Sequence, residues 1–151
     1  MTSDEIIDLL TTAYVDELET VMNYLTNSIV LDGVHAEEVK ESLADDVEEE
    51  LEHARILGER LKQLEESPPG SAEFEARQSS LQPPADTTDV QSVIEGVLEA
   101  EEEAIETYRS LYEAAGEAGD PVTEDVAVTI LADEEAHRTE FRGFQKEFPS
   151  E

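Results

Sequence analysis

The chain has 151 residues, enough for one domain with a substantial buried core. Its 40 Asp and Glu against 9 Lys and Arg give a formal charge of −31, which repels nucleic acid and anionic membrane surfaces and argues against both as partners. No cysteine is present, which removes disulfides, rubredoxin-type sites and thiol nucleophiles, and no apolar run approaches the ~20 residues of a membrane span.

Four segments carry helical periodicity. The first spans about 4–31, with Leu10, Tyr14, Val21, Tyr24 and Ser28 on one stripe and Thr2-x-x-Glu5 as a capping box. The second spans about 36–66 and aligns Val39, Leu43, Val47, Ala54, Leu57, Leu61 and Leu64. The third, about 88–116, follows the capping box Thr88-x-x-Gln91 and aligns Val90, Ile94, Val97, Ile105, Tyr108 and Ala115. The fourth, about 121–148, opens with Pro121 after Asp120 and turns Val126, Ile130, Phe141, Phe144 and Phe148 inward. Nothing reads as strand. Short links at Leu31–His35 and Gly116–Asp120 make two antiparallel hairpins, and the Pro-, Gly- and Ser-rich stretch 67–87 separates them. Twenty extended residues reach roughly 65 Å, more than the ~45 Å of a 30-residue helix. The stretch can therefore cross the whole bundle and set helices two and three parallel, in an all-α four-helix bundle with one long crossover.

Glutamate interrupts each stripe near its middle: Glu17 on helix one, Glu50 with His53 on helix two, Glu101 on helix three, and Glu134 with His137 on helix four. Buried ionised carboxylates without partners cost several kcal/mol each or take up protons. Two divalent cations would cancel the charge of four. An i, i+3 pair aims both side chains at one spot, and Glu50-x-x-His53 and Glu134-x-x-His137 are two copies of it. Glu17 to Glu50 and Glu101 to Glu134 are each 33 residues, and Tyr24 and Tyr108 each follow their glutamate by seven. The halves thus repeat at an offset of 84, as in a duplicated helical hairpin. On helix three a small rotation would exchange Glu101 for Glu99 or Glu102. His35 is unmatched in the other half and reads as a surface or capping residue. Tyr24 and Tyr108 read as core aromatics rather than redox relays.

These residues resemble the ferritin-like di-iron carboxylate proteins, most closely the bacterioferritin and archaeal ferritin branch. The resemblance rests on Tyr14-x-x-Glu17-Leu18-x-x-x-x-x-Tyr24, Glu50-Leu51-Glu52-His53-Ala54, Glu101-x-x-Ala104-Ile105-x-x-Tyr108 and Asp133-Glu134-Glu135-Ala136-His137. It implies two iron ions per chain, or manganese. Glu17 and His53 would serve one, Glu101 and His137 the other, and Glu50 and Glu134 would bridge them. Asp133 and Glu49 would then accept from the free imidazole nitrogens. Bacterioferritins take haem through a methionine one place after the first bridging glutamate; that place is Leu51 here, so no haem is expected. Ala104 stands where rubrerythrins carry a further carboxylate.

The activity implied is a ferroxidase that oxidises Fe(II) with O₂ or H₂O₂, for iron sequestration or protection from oxidative stress. The alternatives are a di-iron or di-manganese peroxidase or catalase-like protein, and a metal-free helical interaction module. The chain leaves no room after helix four for the short fifth helix of 24-subunit cages, so a homo-oligomer is expected as a dimer or dodecamer rather than a 24-mer. Only Lys40, Lys62 and Lys146 are lysines, and the composition is similar to that of salt-accumulating haloarchaeal proteins. A halophilic, cytoplasmic protein is the expectation.

Overall fold

A computed structural model describes residues 3–148. Four long helices dominate: α1 (Asp4–Val30), α2 (Glu37–Gln63), α3 (Val90–Glu117) and α4 (Pro121–Gln145), with single 3₁₀ turns at Val34–Ala36 and Ser71–Glu73. Among the described residues there is no strand. Thr2, and residues 149–151 on which the expectation about a fifth helix bears, lie outside this range.

Several helix ends differ from the sequence reading, each for a local reason. The cap of α1 is Ser3, whose hydroxyl accepts from Ile6 N at 3.2 Å. Asp89 caps α3 by accepting from Ser92 N, because Thr88 instead folds back on the Asp86 carboxylate through both its amide and its hydroxyl. Helix α2 stops at Gln63 rather than near Glu66 in a Schellman turn: Glu66 N donates to Leu61 O, Glu65 N to Lys62 O, and Glu65 takes φ 66°. Asp120 caps α4 as anticipated, with Pro121 in the first turn.

Side-chain pairs fix the topology. Tyr24 meets Glu101 and Tyr108 meets Glu17, so α1 and α3 run antiparallel. Arg60 meets Asp120 and His53 meets Asp133, so α2 and α4 do too. With the two hairpins antiparallel, α2 and α3 are parallel, and residues 64–89 cross between them. This crossover is held by a polar edge of α1. The Glu19 carboxylate accepts from the backbone amides of Arg77 and Gln78, both at 2.8 Å. Thr20 accepts from Gln78 Nε2, Asn23 donates to Gln78 Oε1, and Asn27 donates to Leu81 O. Leu81 then drops into the core opposite Gly96, where an added Cβ would stand 2.8 Å from its backbone nitrogen.

The apolar core comes in two parts. One end packs Leu31, Val39, Leu43, Ile94, Val97 and Phe141 around the Tyr24 ring. The other packs Ile6, Leu10, Leu57, Leu61, Leu111 and Ile130 around Tyr108. The helix-three stripe is buried throughout, as the periodicity predicts. On α1 the inward face instead runs Ile6, Leu10, Ala13, Glu17, Thr20, Tyr24 and Asn27, and Tyr14, Val21 and Ser28 lie on its flank. On α4, Thr123 and Ala127 join Ile130 and Phe141 inside, while Val126, Phe144 and Phe148 are only partly covered.

Candidate metal centre

Between the two apolar halves lie Glu17, Glu50, His53, Glu101, Glu134 and His137, each 6 % exposed or less. One helix supplies each glutamate, and the i, i+3 spacing on α2 and α4 brings each histidine to the same level. His53 Nδ1 lies 3.5 Å from Glu17 Oε2, 3.6 Å from Glu50 Oε2 and 3.1 Å from Glu134 Oε1. His137 Nδ1 lies 3.1 Å from Glu50 Oε1, 3.7 Å from Glu101 Oε1 and 3.9 Å from Glu134 Oε1. The donor atoms fall into two groups, Glu17–Glu50–His53–Glu134 and Glu50–Glu101–Glu134–His137, each set lying within 4.8 Å of one another. Glu50 and Glu134 belong to both. The two Glu50 oxygens face opposite histidines.

Each of the six residues also turns inward one buried polar atom without a hydrogen-bond partner: Glu17 Oε2, Glu50 Oε1, His53 Nδ1, Glu101 Oε2, Glu134 Oε1 and His137 Nδ1; His137 Nε2 on the outer side has none either. Buried polar atoms are nearly always satisfied, so six such atoms at one point call for a ligand. Carboxylate oxygen with imidazole nitrogen is a donor set suited to iron or manganese.

The surrounding groups orient this set. Tyr24 OH donates to Glu101 Oε1 at 2.5 Å, and Tyr108 OH to Glu17 Oε1 at 2.6 Å. Each tyrosine thus engages one oxygen of a glutamate from the other half of the repeat, leaving the second oxygen free. Burial and the neighbouring carboxylates push both phenols well above their usual value, so they remain donors. His53 Nε2 lies 2.8 Å from Asp133 Oδ2, and His137 Nε2 lies 3.0 Å from Glu49 Oε2. Asp133 and Glu49 are 84 residues apart, equivalent positions of the two halves.

Electrostatics without a cation are strained. Burial and the Glu50 charge raise Glu17 well above the carboxylate range, and burial with Glu50 and Glu17 does the same to Glu134. Burial also opposes ionisation of Glu50, but the close approach of Glu17, His137 and His53 outweighs it and holds that group low. Burial disfavours the imidazolium, yet Glu17 and Glu50 push His53 up to about 11, and Glu101 and Glu50 push His137 up to about 12. Cations bound among these groups would displace such protons.

Of the three helix-three candidates, Glu101 faces the centre. Glu99 and Glu102 are exposed, and Glu102 accepts from Arg138 and Arg142 instead. His35 is exposed on the 3₁₀ turn, away from the centre. Two features were not legible beforehand. The tyrosines' cross-pairing needs the topology, although their matched spacing hinted at a shared role. Asp46, 3.4 Å from His137 Nε2 and 7 % exposed, reads in sequence as one more acid in a run of them. Burial raises it to about 7.

Helical bundle and mid-length carboxylate–histidine cluster together define the class. Residues 7–150 match the ferritin-like domain of the ferritin family, and the chain belongs to that family. Among solved structures, a ferritin-like, diiron-carboxylate protein of Bacillus anthracis strain Ames is similar over 95 % of this chain and 99 % of its own, at 22 % identity and TM-score 0.82. The dodecameric thioferritin of Bacteroides fragilis, a bacterioferritin-related protein, matches 95 % of this chain and 85 % of its own at 24 % identity and TM-score 0.82. The Desulfovibrio desulfuricans bacterioferritin, known with its diiron site in different catalytic states, matches 93 % of this chain and 78 % of its own at 25 % identity and TM-score 0.79. None of the curated proteins is significantly similar in sequence. No described helix is long and apolar enough to cross a membrane.

Proposed function

We propose that the chain oxidises Fe(II), with O₂ or H₂O₂ as electron acceptor, at a dinuclear centre held by Glu17, Glu50, His53, Glu101, Glu134 and His137. The observation that carries this reading is the convergence of six unpartnered buried donor atoms in two groups that share Glu50 and Glu134. Iron bound there would supply the electrons. The chain's own residues exclude bulk water, present one oxygen of Glu17 and of Glu101, and hold the others on Tyr108 and Tyr24. Asp133 bonds His53 Nε2, and the Glu49 carboxylate lies 3.0 Å from His137 Nε2, so both imidazoles turn Nδ1 inward. Leu51 offers no ligand atom, which supports a centre without haem. Iron sequestration or protection from peroxide would be the purpose.

A homo-oligomer, dimeric or dodecameric, accompanies this reading. Met22, Leu25 and Ile29 are 60 %, 47 % and 67 % exposed along one side of α1, an apolar strip that a second copy would cover.

The test is anaerobic Fe(II) titration of metal-free protein in molar KCl, followed by O₂ or H₂O₂ with absorbance recorded. Saturation at two irons per chain and fast oxidation are expected. Preferential Mn(II) loading with peroxide turnover would replace this reading with a manganese peroxidase or catalase-like one. Binding of neither metal would leave a helical interaction module. Glu50→Ala should abolish binding of at least one cation, and unchanged two-cation loading would overturn the ligand assignment.

A further inference from the structure

One side of the centre borders a cavity. It measures about 220 Å³ and lies between α1, α3 and the crossover, and Glu17, Glu101 and Glu134 form part of its lining. That volume is ample for several waters. Asp16 and Thr20 of α1, Arg77 and Gln78 of the crossover, and Ala100, Glu103, Ala104 and Thr107 of α3 form the remainder. Burial grades along it: Glu103 and Arg77 are exposed, Asp16, Thr107 and Ala104 half-buried, and Glu17, Glu101 and Glu134 nearly inaccessible. Three of the unpartnered atoms of the centre, Glu17 Oε2, Glu101 Oε2 and Glu134 Oε1, belong to residues that line it.

Arg77 is the cavity's one cationic side chain. Its Nη2 is held by both oxygens of Asp16, at 2.6 and 2.7 Å. The backbone beneath it is fixed independently, through the amide bonds of Arg77 and Gln78 to Glu19. The guanidinium is therefore an exposed group on an anchored stretch of backbone. A positive charge at the outer end of an otherwise acidic passage occupies the first position that an incoming cation would take, and neutralises the Asp16 carboxylate that would attract it.

We infer that this cavity is the passage by which a partly hydrated divalent cation reaches the centre, and that Arg77 latched on Asp16 is the gate that sets its rate. The charge favours a cation over a neutral oxidant as the species controlled here, because O₂ and H₂O₂ gain nothing from carboxylate walls. The inference rests on the dinuclear reading above. It assigns Arg77 no part in holding metal, so the gate acts on kinetics and leaves the end point alone.

Stopped-flow mixing of metal-free protein with Co(II), at low and at molar KCl, separates the two. Arg77→Gln removes the charge and the Nη2 contact with Asp16 while retaining both backbone bonds to Glu19; Thr107→Phe narrows the passage from the opposite wall. Relative to the unsubstituted chain, the first should load roughly three- to tenfold faster at low salt and the second several-fold slower, both ending at two Co(II) per chain. In molar KCl the Arg77→Gln advantage should shrink, as screening requires, while the Thr107→Phe slowing should persist. Circular dichroism melts of both variants check that the bundle is retained. Failure of the unsubstituted chain to bind two cations would overturn the dinuclear reading and this one with it. Two-cation loading at the same rate in all three proteins would overturn the passage alone, as would Arg77→Gln slowing the reaction.

Discussion

At the residue scale, Glu17, Glu101 and His53 each have one polar atom bonded outward, to Tyr108, Tyr24 and Asp133, and one turned inward. Removing a tyrosine hydroxyl tests this. Tyr108→Phe or Tyr24→Phe leaves Glu17 or Glu101 free to rotate, and each should weaken cation binding roughly tenfold while two still bind, as titration calorimetry would show. The histidines set the pH dependence. Without metal, His53 and His137 keep their protons up to about 11 and 12, whereas in the unfolded chain they titrate near 6.5. Their pairing with the glutamates is thus fully present below pH 6.5 and is lost as pH rises through 11 to 12. The raised Glu17 and Glu134 act with the same sign, since the folded state holds protons that the unfolded chain has released. The metal-free melting temperature should accordingly fall from pH 6 to 9, and cation affinity should rise with proton release over that range. Calorimetry in buffers of different ionisation enthalpy reads both; a metal-free melting point that climbs with pH would contradict the assigned proton positions.

At the scale of elements, the crossover is the part whose attachment is most polar. Glu19→Ala would leave the amides of Arg77 and Gln78 without acceptors, at a cost of about 2–4 kcal/mol by denaturant unfolding, and Glu19→Gln should recover part of it. Asp120→Ala removes the α4 cap and the Arg60 contact and should cost about 1–2 kcal/mol. This attachment also explains what was legible in the sequence. The buried stripe of α3 is legible in the sequence, because its inward positions are apolar apart from Glu101 and the Tyr108 hydroxyl; its cap is not, since Thr88 turns back on Asp86. Helix α1 was read about one residue out of register, since Glu19, Thr20, Asn23 and Asn27 look like solvent-facing residues until the crossover covers them. The crossover itself announced its length and breakers, but no periodicity encodes where an irregular segment is tied down. The six central residues were legible because two i, i+3 pairs and a matched spacing survive in one dimension. The stripe points to Glu101, and setting aside Glu99 and Glu102 takes the helix's actual rotation, which leaves both exposed.

At the scale of the whole molecule, the charge of −31 is spread over helices whose outer faces have few cations to offset it. Exposed carboxylates repel within a Debye length, which shrinks from ~30 Å at 0.01 M salt to ~3 Å at 1 M. Stability should therefore climb with KCl and with NaCl alike, at about 3 °C in melting temperature for each kcal/mol of repulsion relieved in a chain of this size. A melting point indifferent to salt would remove the case for a high-salt protein. The exposed apolar strip on α1 bears on assembly: Ile29→Glu should shift the sedimentation profile toward smaller species without altering the number of cations bound per chain.

The 84-residue repeat is not perfect where it meets the histidines. Asp46 approaches His137, but the equivalent position of the second half is Ile130, wholly buried and apolar. Duplication alone would make a centre with two interchangeable ends; this exchange gives it a head and a tail. The end near His137 gains a carboxylate whose charge develops around neutrality, and the end near His53 gains no counterpart. Two identical ions arriving in succession would therefore find unequal berths, and occupancy would proceed in a set order rather than at random.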